Sequence, residues 1–157
     1  MSRNKLLALR LNEVLLNGTW IANTNFKLQI ESLSWKEATF KPENLNSIAM
    51  LIFHIDYYLA GILQVFDGGT LDIRDKYSFD MPEINSEETW NVLKNQFLSH
   101  AGAFVEFVEN MPESLLHKPF VDEKYGTYER NIEGVIEHSY YHLGQISLIK
   151  KMIRLQF

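Results

Sequence analysis

The clearest pattern of apolar positions runs from residue 86 to residue 111, where apolar side chains recur at steps of three and four. The stripe consists of Trp90, Leu93, Phe97, Ala101, Phe104, Val108 and Met111. This spacing predicts an amphipathic helix that runs up to Pro112. Ser86 is a good N-cap for it, and Glu87 and Glu88 occupy the first turn, where carboxylates suit the helix dipole.

The most apolar segment covers residues 44–66, and its last 19 residues carry one formal charge, at Asp56. Its length is close to the roughly 20 apolar residues that a membrane-spanning helix needs. We interpret it instead as a helix in the centre of a bundle, because it also holds His54 and Gln64. With no export leader recognised at the N-terminus, this interpretation predicts a cytoplasmic protein that does not enter a membrane.

Weaker patterns complete the predicted fold. Further helices are expected at three ranges: 3–16, 24–33 and 131–155. Residues 68–85 are expected to be an ordered loop, and residues 113–128 a long loop with an extended piece. Four main helices joined by loops indicate an all-α bundle.

Local signals suggest where these helices begin and end. Asn17-Gly18 is a stop signal for the first helix, and Asp67-Gly68-Gly69 is one for the long apolar helix. Asn131 is the expected N-cap of the last helix. We treat residues 1–157 as one domain, since the length leaves no room for two ordinary ones.

Composition narrows the chemistry. The chain has no cysteine, which excludes disulfides, zinc–thiolate sites, iron–sulfur clusters and cysteine nucleophiles. It has 15 Lys and Arg against 20 Asp and Glu, a formal net charge of −5, and no basic tract. Nucleic-acid binding depends on neutralising phosphates, so this class of partner is not expected.

Five histidines remain as strong nitrogen ligands. His138 and His142 stand four residues apart on the last predicted helix, so they share a face and can converge on one metal ion. Two polar residues on a partly exposed face are the ordinary alternative. His54 lies in the middle of the most apolar helix, where it is either a core histidine or the third ligand. A three-histidine site leaves coordination positions open, and it suits Zn²⁺, Ni²⁺, Fe²⁺ or Mn²⁺ without choosing among them.

Other site types are missing their residues. Position 139 is Ser, so the metalloprotease pattern H-E-x-x-H is absent, and no Glu stands three residues before any histidine, as di-iron sites require. Glycine-rich phosphate loops and the G-x-S-x-G nucleophile motif are absent as well. We interpret His100 as a rim residue beside the apolar stripe and His117 as a loop residue.

Tyrosines near the histidines could supply hydroxyl groups. They are Tyr57, Tyr58, Tyr140 and Tyr141. Aromatic residues at helical spacing usually belong to the core. Tyr58 and Tyr141 are the candidates for a catalytic role, and the sequence identifies no catalytic residue beyond them.

Two strings together resemble the DinB-like superfamily of metal-binding four-helix bundles. They are H-S-Y-Y-H-L-G-Q-I at 138–146 and L-I-F-H-I-D-Y-Y-L at 51–59. The resemblance covers essentially the whole chain and implies an up-down-down-up bundle, commonly a homodimer. It also implies one divalent metal held by three histidines, which by position are His54, His138 and His142.

The resemblance also suggests roles for two neighbours of the triad and a class of reaction. Gly144 and Gln145 match the family's G-Q, which we interpret as close helix packing and an amide that supports a ligand. Characterised relatives activate a low-molecular-weight thiol for transfer or isomerisation. The expected function is therefore a metal-dependent enzyme that transfers such a thiol or hydrolyses a small substrate.

There are two alternatives to a metal-dependent enzyme. The main alternative is a non-catalytic, stress-associated module that binds metal and dimerises. DNA binding or repair, which the family's damage-inducible name suggests, conflicts with the net charge of −5 and the missing basic stripe.

Overall fold

The computed structural model describes residues 1–156, and helices dominate them. There are six α-helices in this part of the chain: α1 (Arg3–Asn12), α2 (Phe26–Ile30), α3 (Trp35–Thr39), α4 (Ile48–Phe66), α5 (Glu87–Asn110) and α6 (Tyr128–Ile153). The described residues contain no strand, and a single antiparallel bridge joins Pro119 to Thr127. The all-α class is confirmed, and so is the extended piece in the loop before the last helix.

Helix α5 matches its prediction closely. The seven apolar residues of the 90–111 stripe are all buried. The hydroxyl of Ser86 accepts a hydrogen bond from the backbone N–H of Thr89, so the predicted N-cap is confirmed. Because one side of α5 buries a continuous stripe, this helix anchors the core.

Helix α4 begins at Ile48, four residues after the expected start. Residues 42–45 form a turn instead, closed by a hydrogen bond from the N–H of Leu45 to the carbonyl of Pro42. The hydroxyl of Ser47 caps the helix by accepting from the N–H of Met50. The helix ends at Phe66 as predicted, and Gly68 follows with φ +85°, a conformation that favours glycine.

The burial of α4 bears on whether it is a core helix or a membrane span. Among the described helices, α4 alone is long and apolar enough to cross a membrane, and 61% of its most apolar window lies buried inside the protein. This burial supports the interpretation of α4 as a core helix.

The N-terminal region differs most from its prediction. Helix α1 ends at Asn12, and a π-helical turn, Glu13–Asn17, takes the chain up to the expected stop. Helix α2 is limited to Phe26–Ile30. Helix α3 was not predicted. It is a single short helix whose capping box pairs Ser34 with Glu37, a signal that the sequence contains.

Helix α6 begins at Tyr128, and the prediction that Asn131 caps it was wrong. The cap is Thr127, whose hydroxyl accepts from the N–H of Arg130. The Asn131 side chain instead donates to the carbonyls of Tyr125 and Thr127, and so ties the helix to the preceding loop.

Each of the four long helices packs mainly against two of the others. Helix α5 packs against α1 and α4, while α6 packs against α4 and α1. The contact between α4 and α6, which we call the α4–α6 seam, brings together the two helices that carry the candidate ligands.

Candidate metal centre

Three histidines from two helices converge at the α4–α6 seam. His54 comes from α4, and His138 and His142 come from one face of α6. The Nε2 atom of His138 lies 3.2 Å from Nε2 of His54 and 2.9 Å from Nε2 of His142. His54 and His142 are buried and His138 is partly buried, and the three together could hold a metal ion.

The three imidazole rings are steeply inclined to one another. Each pair of the three imidazoles meets at an interplanar angle of 74°, with ring centroids between 4.5 and 5.0 Å apart. Two nitrogens that each lie 2.0–2.1 Å from a tetrahedral ion are about 3.3 Å apart. The observed Nε2 separations are close to that value, so a small shift of the rings would accommodate one ion.

The outer nitrogens of two rings are fixed by hydrogen bonds. Nδ1 of His54 donates to the carbonyl oxygen of Ser78 at 3.3 Å, and Nδ1 of His142 donates to the side-chain oxygen of Gln145 at 2.6 Å. Because both acceptors are oxygens, each neutral ring carries its proton on Nδ1 and presents a bare Nε2. Metal-ligating histidines are typically oriented in this way.

The three rings are held in their neutral form. Burial, together with the neighbouring histidines, lowers the pKa of His138 to about 4. Burial also lowers the pKa of His54 and of His142. With two bare Nε2 atoms, the neutral triad has at most one proton to share among three facing nitrogens. A cation at their centre would remove this deficit.

A loop covers the His54 side of the triad. The ring of Phe79 stacks on the His54 ring at 4.2 Å, one residue after the carbonyl that binds His54. The loop approaches α4 closely at Gly61, where a Cβ would lie 2.1 Å from Cγ2 of Ile73. Sequence reasoning identified the loop as ordered but did not identify Ser78 and Phe79 as neighbours of the site.

Tyr58 lies beside the triad, whereas Tyr141 lies at its outer edge. The Tyr58 hydroxyl donates to a carboxylate oxygen of Asp75 at 2.8 Å, and its ring centroid is 5.1 Å from that of His54. Burial and Asp75 raise the pKa of Tyr58 to about 12. Tyr141 is 65% exposed, with its ring 4.9 Å from that of His142. The negative charge of Asp75 near the rings favours a bound cation.

Tyr57 and Tyr140 make contacts that stabilise the fold. The Tyr57 hydroxyl donates to the carbonyl of Arg74 and accepts from its N–H, which fixes the loop over α4. Tyr140 packs against the core.

The two remaining histidines lie away from the triad. Nδ1 of His100 lies 2.7 Å from a carboxylate oxygen of Asp56, and Gln96 donates to the other oxygen of that buried carboxylate, also at 2.7 Å. The His100 side chain is 32% exposed, as expected at a rim, and it borders a wide groove of about 560 Å³. His117 is exposed at the surface near Glu129.

Gly144 and Gln145, the two neighbours of the triad to which the sequence suggested roles, differ in their surroundings. Gln145 is hydrogen-bonded to His142, which confirms the expected supporting amide. The interpretation of Gly144 as a close-packing residue was wrong. Gly144 is exposed on α6, and an added Cβ there would meet no atom within 4 Å.

Comparison with known proteins adds no further constraint on the site. No protein-family model, no curated protein and no solved structure matches the chain. The geometry of the three histidines is therefore the basis for assigning a function.

Proposed function

We propose that this protein is a metal-dependent enzyme that activates a low-molecular-weight thiol for transfer, with His54, His138 and His142 as the metal ligands. The observation that carries the proposal is the convergence of three Nε2 atoms, two of which are kept free of protons by oxygen acceptors on the outer nitrogens. A buried set of three neutral imidazoles suits Zn²⁺, Ni²⁺, Fe²⁺ or Mn²⁺.

A divalent ion with three protein ligands acts as a Lewis acid that lowers the pKa of a thiol or a water molecule, so that a nucleophile exists at neutral pH. Each residue around it has a defined part. Ser78 and Gln145 orient the ligand rings, and Phe79 shields one ring from water. Tyr58 holds its proton firmly and can donate it to a leaving group if its bond to Asp75 is exchanged.

We further propose that the chain is a DinB-like four-helix bundle in up-down-down-up order, a homodimer and cytoplasmic. Three observations support the family assignment. The four long helices contact one another in pairs, the triad lies on α4 and α6, and Gln145 supports His142. Helix α4 is mostly buried, as expected of a soluble bundle.

The test is a thiol-transfer assay with purified, metal-loaded protein. A panel of low-molecular-weight thiols is incubated with an electrophilic aryl halide, and loss of thiol and release of halide are followed. We expect turnover by the wild type and none by His54→Ala. A Val92→Ala variant, changed at an exposed position of α5, should match the wild type.

The remaining outcomes identify the competing functions. Hydrolysis of activated esters without thiol turnover would favour metal-assisted hydrolysis. Bound metal that raises the melting temperature, with neither activity, would contradict the enzyme proposal and favour the non-catalytic module.

A further inference from the structure

A groove lies one helical turn from the triad along the α4–α6 seam. Leu51, three residues before His54, and Gln145, three residues after His142, both line it. Residues three apart on a helix share a face, and one turn advances about 5.4 Å. The groove therefore begins about one turn from the converging Nε2 atoms.

The groove has the size and the apolar lining of a small-molecule site. Its volume of about 310 Å³ lies at the lower end of the range for ligand pockets, about 300–1,000 Å³. Leu51 and Ile149 form a buried apolar floor, while Leu45 and Leu148 stand at the rim with 44% and 58% of their surfaces exposed. Two exposed leucines facing one opening offer apolar contact to a bound molecule.

The polar groups of the groove are all neutral amides. They belong to Asn44, Asn46 and Gln145, and the lining includes no charged side chain. The side chains of Asn44 and Asn46 make no hydrogen bond with the described residues. These amides can bind oxygen or N–H groups, but none of them can neutralise a charged ligand group.

Gln145 connects the groove to the triad. Its side-chain oxygen accepts from Nδ1 of His142, as a metal-binding Nε2 on that ring requires. The amide nitrogen of Gln145 makes no hydrogen bond with the described residues, so both of its protons are free to donate. One side chain therefore orients a ligand ring and offers a donor at the end of the groove nearest the triad.

We propose that this groove, formed by Asn44, Leu45, Asn46, Leu51, Gln145, Leu148 and Ile149 and called the amide groove below, binds an uncharged, partly apolar arm of the substrate. The arm presents a carbonyl or amide oxygen to the side-chain nitrogen of Gln145. This inference rests on the proposed function for the identity of the bound molecule as substrate. It defines the substrate class as a small molecule whose reactive end is attached to a neutral acyl-amide arm.

The experiment uses metal-free, ¹⁵N-labelled protein, so that its outcome does not depend on metal binding. N-Butylacetamide is titrated as the neutral probe, with hexanoate and butylammonium as charged probes of similar length. We expect saturable NMR shift changes at the Gln145 side-chain amide and at Leu148 and Ile149 with N-butylacetamide. The charged probes should bind at least about tenfold more weakly, since their charge must be desolvated without a partner.

Two matched variants locate the binding. Leu148→Arg places a charge at the exposed rim and should weaken the probe about tenfold or more. Val92→Arg makes the same change at a position that is 61% exposed on α5, and it should bind as the wild type does. Folding of both variants is checked by their dispersed amide spectra.

Specific results would overturn the inference. They are equal binding of hexanoate, equal weakening by the two variants, or shift changes away from the amide groove. Shifts at the same residues that depend on protein concentration alone would mean that a second copy covers the groove. Metal content, measured separately, tests the proposed function. Probe binding in a protein whose triad takes no metal would retain the groove and reject the enzyme.

Discussion

Two clusters in this protein place histidine rings against buried polar groups, and they satisfy those groups in opposite ways. On the side of α4 that faces α5, both oxygens of the Asp56 carboxylate are hydrogen-bonded by side chains of the protein, one to His100 and the other to Gln96. At the α4–α6 seam, three imidazoles face one another with no carboxylate among them. The first cluster satisfies its buried polar groups internally, whereas the second does not.

The difference indicates which cluster is the candidate ligand site. A buried polar group without a partner is costly, so an internally paired cluster is sufficiently explained by packing. The triad has bare Nε2 atoms directed at each other and oxygen acceptors fixing the outer nitrogens. A cation between the three rings would satisfy these nitrogens, so the triad is the candidate metal centre and the Asp56 cluster serves as its internal control.

The largest expected effect is on metal affinity. Removing a ligand in His138→Ala should weaken binding by more than the roughly 100-fold that loss of an outer partner can cost. His100→Ala should leave the affinity unchanged, because His100 belongs to the other cluster. Competition with a chromogenic chelator measures both. Equal losses in the two variants would remove the distinction between the clusters.

The next effect is on stability at the Asp56 cluster. Asp56→Ala leaves the hydrogen-bonding groups of Gln96 and His100 without their partner and should lower the free energy of unfolding by about 3 kcal/mol. Metal affinity should change little, since the triad keeps its ligands. Urea unfolding and the chelator assay give the two values. A loss of metal affinity comparable to that of His138→Ala would show that the clusters are coupled.

Variants of Gln145 test whether its hydrogen bond to His142 orients that ring for metal binding. Gln145→Leu removes the acceptor for Nδ1 of His142 and should lower metal affinity about 10–100-fold. Gln145→Glu keeps an oxygen acceptor at this position and should retain most of the affinity. Similar losses in both variants would mean that the contact with His142 does not orient the ring.

The smallest effect is a pH dependence of the metal-free protein. Burial lowers the pKa of each triad histidine below the ordinary 6.5, to about 4 for His138, while Asp75 opposes the shift at His54 and His138. Between about pH 4 and pH 6.5, the triad histidines therefore bind more protons in the unfolded chain than in the folded one. Stability should therefore be highest above pH 6.5 and should fall as the pH drops toward 4.

This dependence can be assigned to the triad by one comparison. Urea unfolding at a series of pH values should give a steeper loss for the wild type than for His138→Ala. The same slope in both proteins would place the responsible groups elsewhere.

The sequence was most informative where local periodicity determines the structure. The stripe on α5 and the spacing of His138 and His142 follow from helical geometry alone, and the buried centre of α4 follows from its composition. The π-helical turn at Glu13–Asn17 packs against α5 and α6, which lie far along the chain, and no local pattern predicted it. Helix α3 was missed although its capping box, Ser34 with Glu37, is a local signal. The cap of α6 was misplaced for a local reason, since Thr127 and Asn131 both offer a side-chain oxygen and only Thr127 accepts from the N–H three residues later.

Contacts between residues that are far apart in the sequence were the other feature that could not be predicted. His100 was placed at a rim, but its partner Asp56 lies 44 residues away, and no spacing rule connects the two. Likewise, Ser78 and Phe79 reach His54 through a loop whose path depends on Gly61 and Ile73. The ligands could be proposed from the sequence, whereas the residues that orient and cover them needed the three-dimensional structure, apart from Gln145.

The most direct test of the account is elemental analysis of the purified protein beside a His138→Ala/His142→Ala variant. We expect about one divalent metal ion per chain in the wild type and none in the variant. Absence of stoichiometric metal in the wild type, or equal metal in the two proteins, would contradict the assignment of His54, His138 and His142 as a metal centre.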